Sequence, residues 1–71
     1  MKNLGKALKF QRKINKYSQK QLADILGIKQ TAISNWEIGR NEPSIDYLIA
    51  LADLYDISLD ELVERDYYGR L

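Results

Sequence analysis

The sequence predicts an all-α fold, five short helices packed around one core. Three observations lead there. Each segment between turn signals carries an apolar stripe at three- and four-residue spacing, the period of a helix face. Two capping boxes, Ser18-Gln19-Lys20-Gln21 and Ser58-Leu59-Asp60-Glu61, mark helix starts. Gly27 and Gly39 stand where stripes end. A chain of 71 residues makes one small domain, near the lower size for a self-sufficient core. Residues 1–66 read as that domain and residues 67–71 as a C-terminal tail. Cysteine and histidine are absent, so disulfides and the common zinc frameworks are excluded. Helix packing must supply the stability.

The first helix is expected from Asn3 to Asn15. Leu4, Ala7, Leu8, Gln11 and Ile14 share its inward face, and Phe10 sits at the edge. Lys2, Lys6, Lys9 and Lys13 line the other side, mostly as a solubilising stripe with one or two within reach of phosphate. Asn15 is expected to supply the left-handed residue of the turn that follows, a backbone state asparagine adopts more readily than most.

Ser18 opens the second helix, its hydroxyl accepting from the Gln21 N–H while the Gln21 side chain reaches back to the Ser18 N–H. Gln19 falls in the first turn, where free N–H groups and the positive helix end favour a phosphate. Leu22, Leu26, Ile28, Ile33 and Trp36 are apolar and Ala23 is small. That pattern suits two helices crossing at about 90–120° through a short turn. Gly27 provides the φ > 0 the turn needs, and a large residue at position 23 would hold the two helices apart. The motif spans residues 19–38.

The third helix starts near Lys29, which forgoes about 1 kcal/mol relative to a Ser or Thr cap. Either a functional gain offsets that cost or the fold tolerates it. Lys29, Gln30, Thr31, Ser34 and Asn35 fall opposite Ile33 and Trp36. A short helix offering amine, amide and hydroxyl groups suits a major groove. Trp36 completes the inward stripe and belongs to the core rather than to base stacking. In the loop Arg40-Asn41-Glu42-Pro43, Arg40 and the backbone amides are placed to grip phosphate.

Ser44 is the expected N-cap of the fourth helix, whose wide apolar face holds Ile45, Leu48, Ile49, Leu51, Ala52 and Tyr55. Asp56 ends it and tolerates φ > 0. Ser58 then caps a short fifth helix reaching Glu64. The expected core is Leu4, Leu8, Leu22, Ala23, Leu26, Ile33, Trp36, Leu48, Leu51 and Leu62. Tyr47, Ala50 and Leu54 are expected opposite the core stripe, as scattered surface apolars, a dimer patch, or a shelf for Tyr67 and Tyr68.

Net charge is only +1, but it is segregated. Residues 1–41 carry nine Lys/Arg against Asp24 and Glu37, a net +7. Residues 42–71 carry Arg65 and Arg70 against eight acids, a net −6. A chain polarised in this way offers a basic side to phosphate and an acidic side facing away.

Residues 19–36 resemble the helix-turn-helix of the phage Cro/repressor family and its bacterial, Xre-type relatives. The likeness extends to residues 4–12, the family's first helix, to Trp36-Glu37-Ile38-Gly39, its closing motif, and to residues 43–62, its last two helices. It implies a five-helix, lambda-repressor-like DNA-binding domain and a sequence-specific transcriptional regulator of double-stranded DNA. Such a regulator is expected to be a repressor bound as a homodimer to a palindromic operator, its recognition helices one turn, about 34 Å, apart. Tyr55, Ile57 and Leu59, or the Tyr47/Leu54 stripe, would supply the dimer contact. The resemblance further implies that Gln19 touches phosphate and supports a base-reading Gln30. It also implies that Arg12 and Glu37 form a partly buried ion pair. The candidate DNA-binding residues are therefore Gln19, Lys29, Gln30, Thr31, Ser34, Asn35 and Arg40. The chain departs from the family at Gln11, where leucine is commoner, and at Asn15-Lys16 and Asp56, where a turn glycine is common.

Other classes fare worse. The acids Asp53, Asp56, Asp60, Glu61, Glu64 and Asp66 could pair, yet without His, Cys or a glycine-rich loop so small a chain encloses no plausible catalytic pocket. No cofactor or metal is expected. An antitoxin-type regulator that also binds a toxin, or a purely protein-binding helical domain, remains as an alternative. The sequence has neither a run of about eighteen apolar residues nor a hydrophobic N-terminal segment. A cytoplasmic protein with no membrane partner is expected.

Overall fold

Five helices form where the caps and stripes predict them, in a computed structural model that describes residues 3–63. They are α1 (Leu4–Ile14), α2 (Gln19–Leu26), α3 (Gln30–Glu37), α4 (Ile45–Tyr55) and α5 (Leu59–Val63). Among the described residues there is no strand. The tail at 67–71, with Tyr67 and Tyr68, lies outside the described residues.

Both capping boxes close. The Gln21 N–H donates to Ser18 Oγ at 3.0 Å and the Ser18 N–H to Gln21 Oε1 at 2.8 Å. Glu61 N–H donates to Ser58 Oγ at 3.0 Å, and the return bond from Ser58 N–H to Glu61 Oε1 is longer, 3.4 Å. Lys29 and Ser44 occupy N-cap positions without a side-chain cap bond.

Helices α1 to α4 all end in the same way. At each C-terminus one N–H reaches back five residues and its neighbour three: Tyr17 to Arg12 and Lys16 to Lys13, Ile28 to Ala23 and Gly27 to Asp24, Arg40 to Asn35 and Gly39 to Trp36, Ile57 to Ala52 and Asp56 to Asp53. This pair of bonds is the Schellman motif, and it requires a left-handed residue. Gly27 meets that need with φ 70°. At the end of α1 the residue is Lys16, φ 64°, and not Asn15 as expected. Asn15 instead keeps φ −89° and its side-chain Nδ2 donates to the Gln11 carbonyl at 2.8 Å, so it closes the last turn one residue earlier. Asp56 takes φ 55°, as its tolerance of that region predicts.

The core holds Leu4, Leu8, Leu22, Ala23, Ile33, Trp36, Leu51 and Leu62 as expected, joined by Ala7, Ala52 and Tyr55. Leu26 and Leu48 are only half-buried against it. Helix α1 packs on α3 and α5, α2 on α3, and α4 on α5. Two face assignments need correction. Ile14 is 55% exposed because α1 reaches its end there, past the helices it packs against. The inward face of α4 is rotated from the expected one: Ile45 and Ile49 are 59% and 43% exposed, whereas Tyr47 and Leu54 pack against the core. Tyr47 lies on Trp36, ring centroids 5.4 Å apart, and this contact turns it inward. Burial of Tyr55, beside Tyr17 at 6.1 Å, likewise removes it from the expected dimer contact, and Ile57 and Leu59 are half-buried against the same core.

One glycine has a packing role that sequence reasoning missed. A Cβ on Gly5 would come 2.5 Å from the carbonyl oxygens of both Trp36 and Glu37. The backbone of α1 therefore lies directly on the last turn of α3.

Candidate nucleic-acid interface

The close approach at Gly5 brings Arg12, two turns further along α1, to the same end of α3. Arg12 Nε donates to Glu37 Oε2 at 2.7 Å and Nη2 to Oε1 at 3.0 Å, a bidentate pair. A third donor, Nη1, reaches the Tyr17 carbonyl at 2.8 Å and ties in the α1–α2 turn. The side chains are only 8% and 4% exposed. The hydrogen bond to Glu37 raises the Arg12 pKa above its ordinary value, against the opposing effect of burial. Arg12 and Glu37 are thus the structural ion pair expected from the resemblance.

The network continues to the surface. Gln19 Nε2 donates to the same Glu37 Oε1 at 3.0 Å, and Gln30 Nε2 donates to Gln19 Oε1 at 3.4 Å. A chain of hydrogen bonds thereby runs from the base of the domain, through the first turn of α2, to the first turn of α3. The Gln19–Gln30 contact was expected and the Gln19–Glu37 bond was not. Arg12 and Glu37, 25 residues apart in sequence, give no local signal that a third side chain from α2 will join them. Gly5 offered a weak signal, since an isolated glycine inside a helical pattern often marks close packing.

Around Gln30 the structure gathers Lys29 and Thr31, both exposed in the same turn. Ser34 and Asn35 are half-buried, one turn further on. Arg40 is exposed but lies past the other end of α3, about 12 Å along an eight-residue helix from Gln30. The Gln30 face is open rather than recessed. A cleft of ≈ 260 Å³ opens between the start of α1 and residues 36–42, and none of Lys29, Gln30, Thr31, Ser34 or Asn35 lines it. Among the described residues no cluster of three potential metal ligands occurs, and no helix is long and apolar enough to cross a membrane.

Two helices joined at a left-handed glycine, the second one buried by Ile33 and Trp36 and exposed at its polar start, define a helix-turn-helix domain. The comparisons place it further. A helix-turn-helix family model matches residues 8–62. The chain is 39% identical over 64 residues to the HTH-type transcriptional regulator ImmR of Bacillus subtilis, covering 90% of this chain and 50% of that protein. It is 40% identical over 55 residues to the phage CTXphi transcriptional repressor RstR of Vibrio cholerae, 78% of this chain and 49% of that one. Repressor protein C2 of Salmonella phage P22 is 33% identical over 63 residues, 89% of this chain and 29% of C2. The chain belongs to the Xre-type helix-turn-helix family, whose members named here are transcriptional regulators and not enzymes. It spans about half the length of the first two of these relatives.

Proposed function

We propose that the protein is a transcriptional regulator that binds double-stranded DNA with α3 in the major groove and Gln30 on a base edge. The observation that carries this reading is the Gln30–Gln19 hydrogen bond, which holds an exposed side-chain amide at the start of α3. A bidentate amide suits adenine, which offers an acceptor at N7 beside a donor at N6. Gln19 supports that amide and lies near the α2 N-terminus, where a phosphate is favoured. Lys29 would add guanine or phosphate contact, and the Thr31 methyl would lie on thymine. Ser34 and Asn35 would close the face one turn on. Arg40 would contribute phosphate attraction alone.

The repressor reading draws on the phage repressors RstR and C2, although an activator, BcrR of Enterococcus faecalis, is also similar at 37% identity over 49 residues. Binding to a palindrome as a homodimer follows from size: one eight-residue helix contacts too few base pairs for specificity, and two-fold symmetry doubles them. A cytoplasmic site of action accords with such a role.

Gln30→Ala and Arg40→Ala, compared on a selected operator and on random duplex, test the assignment. Gln30→Ala should remove about 1–3 kcal/mol of discrimination, leaving random-duplex binding nearly intact. Arg40→Ala should weaken both duplexes alike and flatten the salt dependence by about one counterion. Equal weakening of both duplexes by Gln30→Ala would place the reading face elsewhere. A footprint without two-fold symmetry would remove the dimer.

A further inference from the structure

A carboxylate can only accept hydrogen bonds, and that of Glu37 already accepts two from Arg12. Glu37 therefore compels Gln19 to turn its NH2 group inward, as the 3.0 Å bond records. The Gln19 carbonyl must then face outward, and it accepts from the Gln30 NH2 group at 3.4 Å. One Gln30 N–H is thereby occupied. What remains for a ligand is a single N–H and the Gln30 carbonyl, in a fixed left-to-right order. An unconstrained glutamine exchanges these two by rotating its amide half a turn.

We propose that Arg12 and Glu37, whose side chains are almost wholly buried, are specificity-determining positioning residues: they fix the amide polarity of Gln30 through Gln19, and so select adenine. Guanine presents acceptors at both N7 and O6, so the fixed Gln30 carbonyl meets O6 unfavourably. If the anchor is neutral, either amide order is allowed and the preference relaxes. This rests on the reading of Gln30 as the base-contacting residue.

The test uses the whole chain and a random duplex library, with bound sequences counted for wild type, Gln30→Ala, Glu37→Gln and the double variant. Measurements are made below each variant's melting transition. The position that Gln30 reads is the one flattened by Gln30→Ala. There the wild type should prefer adenine by about 5- to 150-fold. Glu37→Gln should reduce that preference to within about threefold of the other bases, and should have no further effect on it in the Gln30→Ala background. Gln19→Met, which leaves the Arg12–Glu37 pair in place, should relax the same position and so covers any loss of folding in Glu37→Gln. If both variants change affinity uniformly and keep the wild-type base preference, the ion pair is structural only and the proposal is overturned. If Gln30→Ala flattens no position, Gln30 does not read bases, and the relay falls together with the underlying reading.

Discussion

At the scale of single residues, Arg12 within α1 and Lys16 just past its end show how differently two neighbouring basic side chains can be employed. Arg12 is buried and fully engaged, with Glu37 on one side and the Tyr17 carbonyl on the other. Arg12→Ala would leave the Glu37 carboxylate buried with Gln19 as its remaining side-chain donor among the described residues. Removing one member of such a pair costs about 3–5 kcal/mol, a large share of the stability of so small a domain. A melting temperature unchanged by Arg12→Ala would show that the pair contributes nothing. Lys16 is exposed and held at φ 64°, where a β-carbon crowds the backbone. Lys16→Gly should therefore raise stability by about 0.5–1 kcal/mol, seen as a higher urea midpoint with unchanged slope.

At the scale of the helices, α1 and α3 touch backbone to backbone, and Gly5 makes this possible. Gly5→Ala would gain helix propensity of about 0.5–1 kcal/mol in an isolated helix. Here the added methyl meets two carbonyl oxygens that belong to the α3 terminus and cannot swing aside. The net effect should be a loss of about 1–3 kcal/mol, measurable by denaturant unfolding. The existence of all five helices, and the starts of α2 and α5, were legible in the sequence, because capping boxes are local signals. At the end of α1 the left-handed residue is Lys16 and not Asn15. Which side of α4 faces inward was not legible. Its composition is apolar nearly all round, so periodicity could not choose between the Ile45/Ile49 side and the Tyr47/Leu54 side. The contact of Tyr47 with Trp36, a partner outside α4, decided it. For the candidate interface, the polar residues and the Gln19–Gln30 pairing were legible from the motif. Their connection to Glu37 depends on three helices meeting, and no spacing in the sequence encodes that.

At the scale of the whole molecule, the burial of Tyr55 couples the stability of the fold to alkaline pH. Burial pushes the Tyr55 hydroxyl up to about 12, with Arg12 partly opposing the shift. The folded state thus holds this proton more tightly than the unfolded chain, whose tyrosine titrates near 10. The resulting stability is complete below about pH 10 and is lost as pH rises toward 12, by about 1–3 kcal/mol. Tyr55→Phe should remove this alkaline component, and the difference between the two unfolding curves against pH measures it directly. A difference that is constant from pH 8 to 12 would mean that Tyr55 ionises as freely in the fold as outside it.

The two ends of α3 are unlike in a way that bears on how such proteins diversify. Its last turn is immobilised by Gly5, Arg12 and the core, whereas Lys29, Gln30 and Thr31 at its start are exposed. Substitutions at exposed positions usually alter stability by no more than about 0.5 kcal/mol. Residues 29–31 can therefore change in a lineage while every buried contact persists. Under the DNA-reading proposal, duplicated copies of this domain could acquire separate operators within one cell and regulate without crosstalk, each retaining the parental fold.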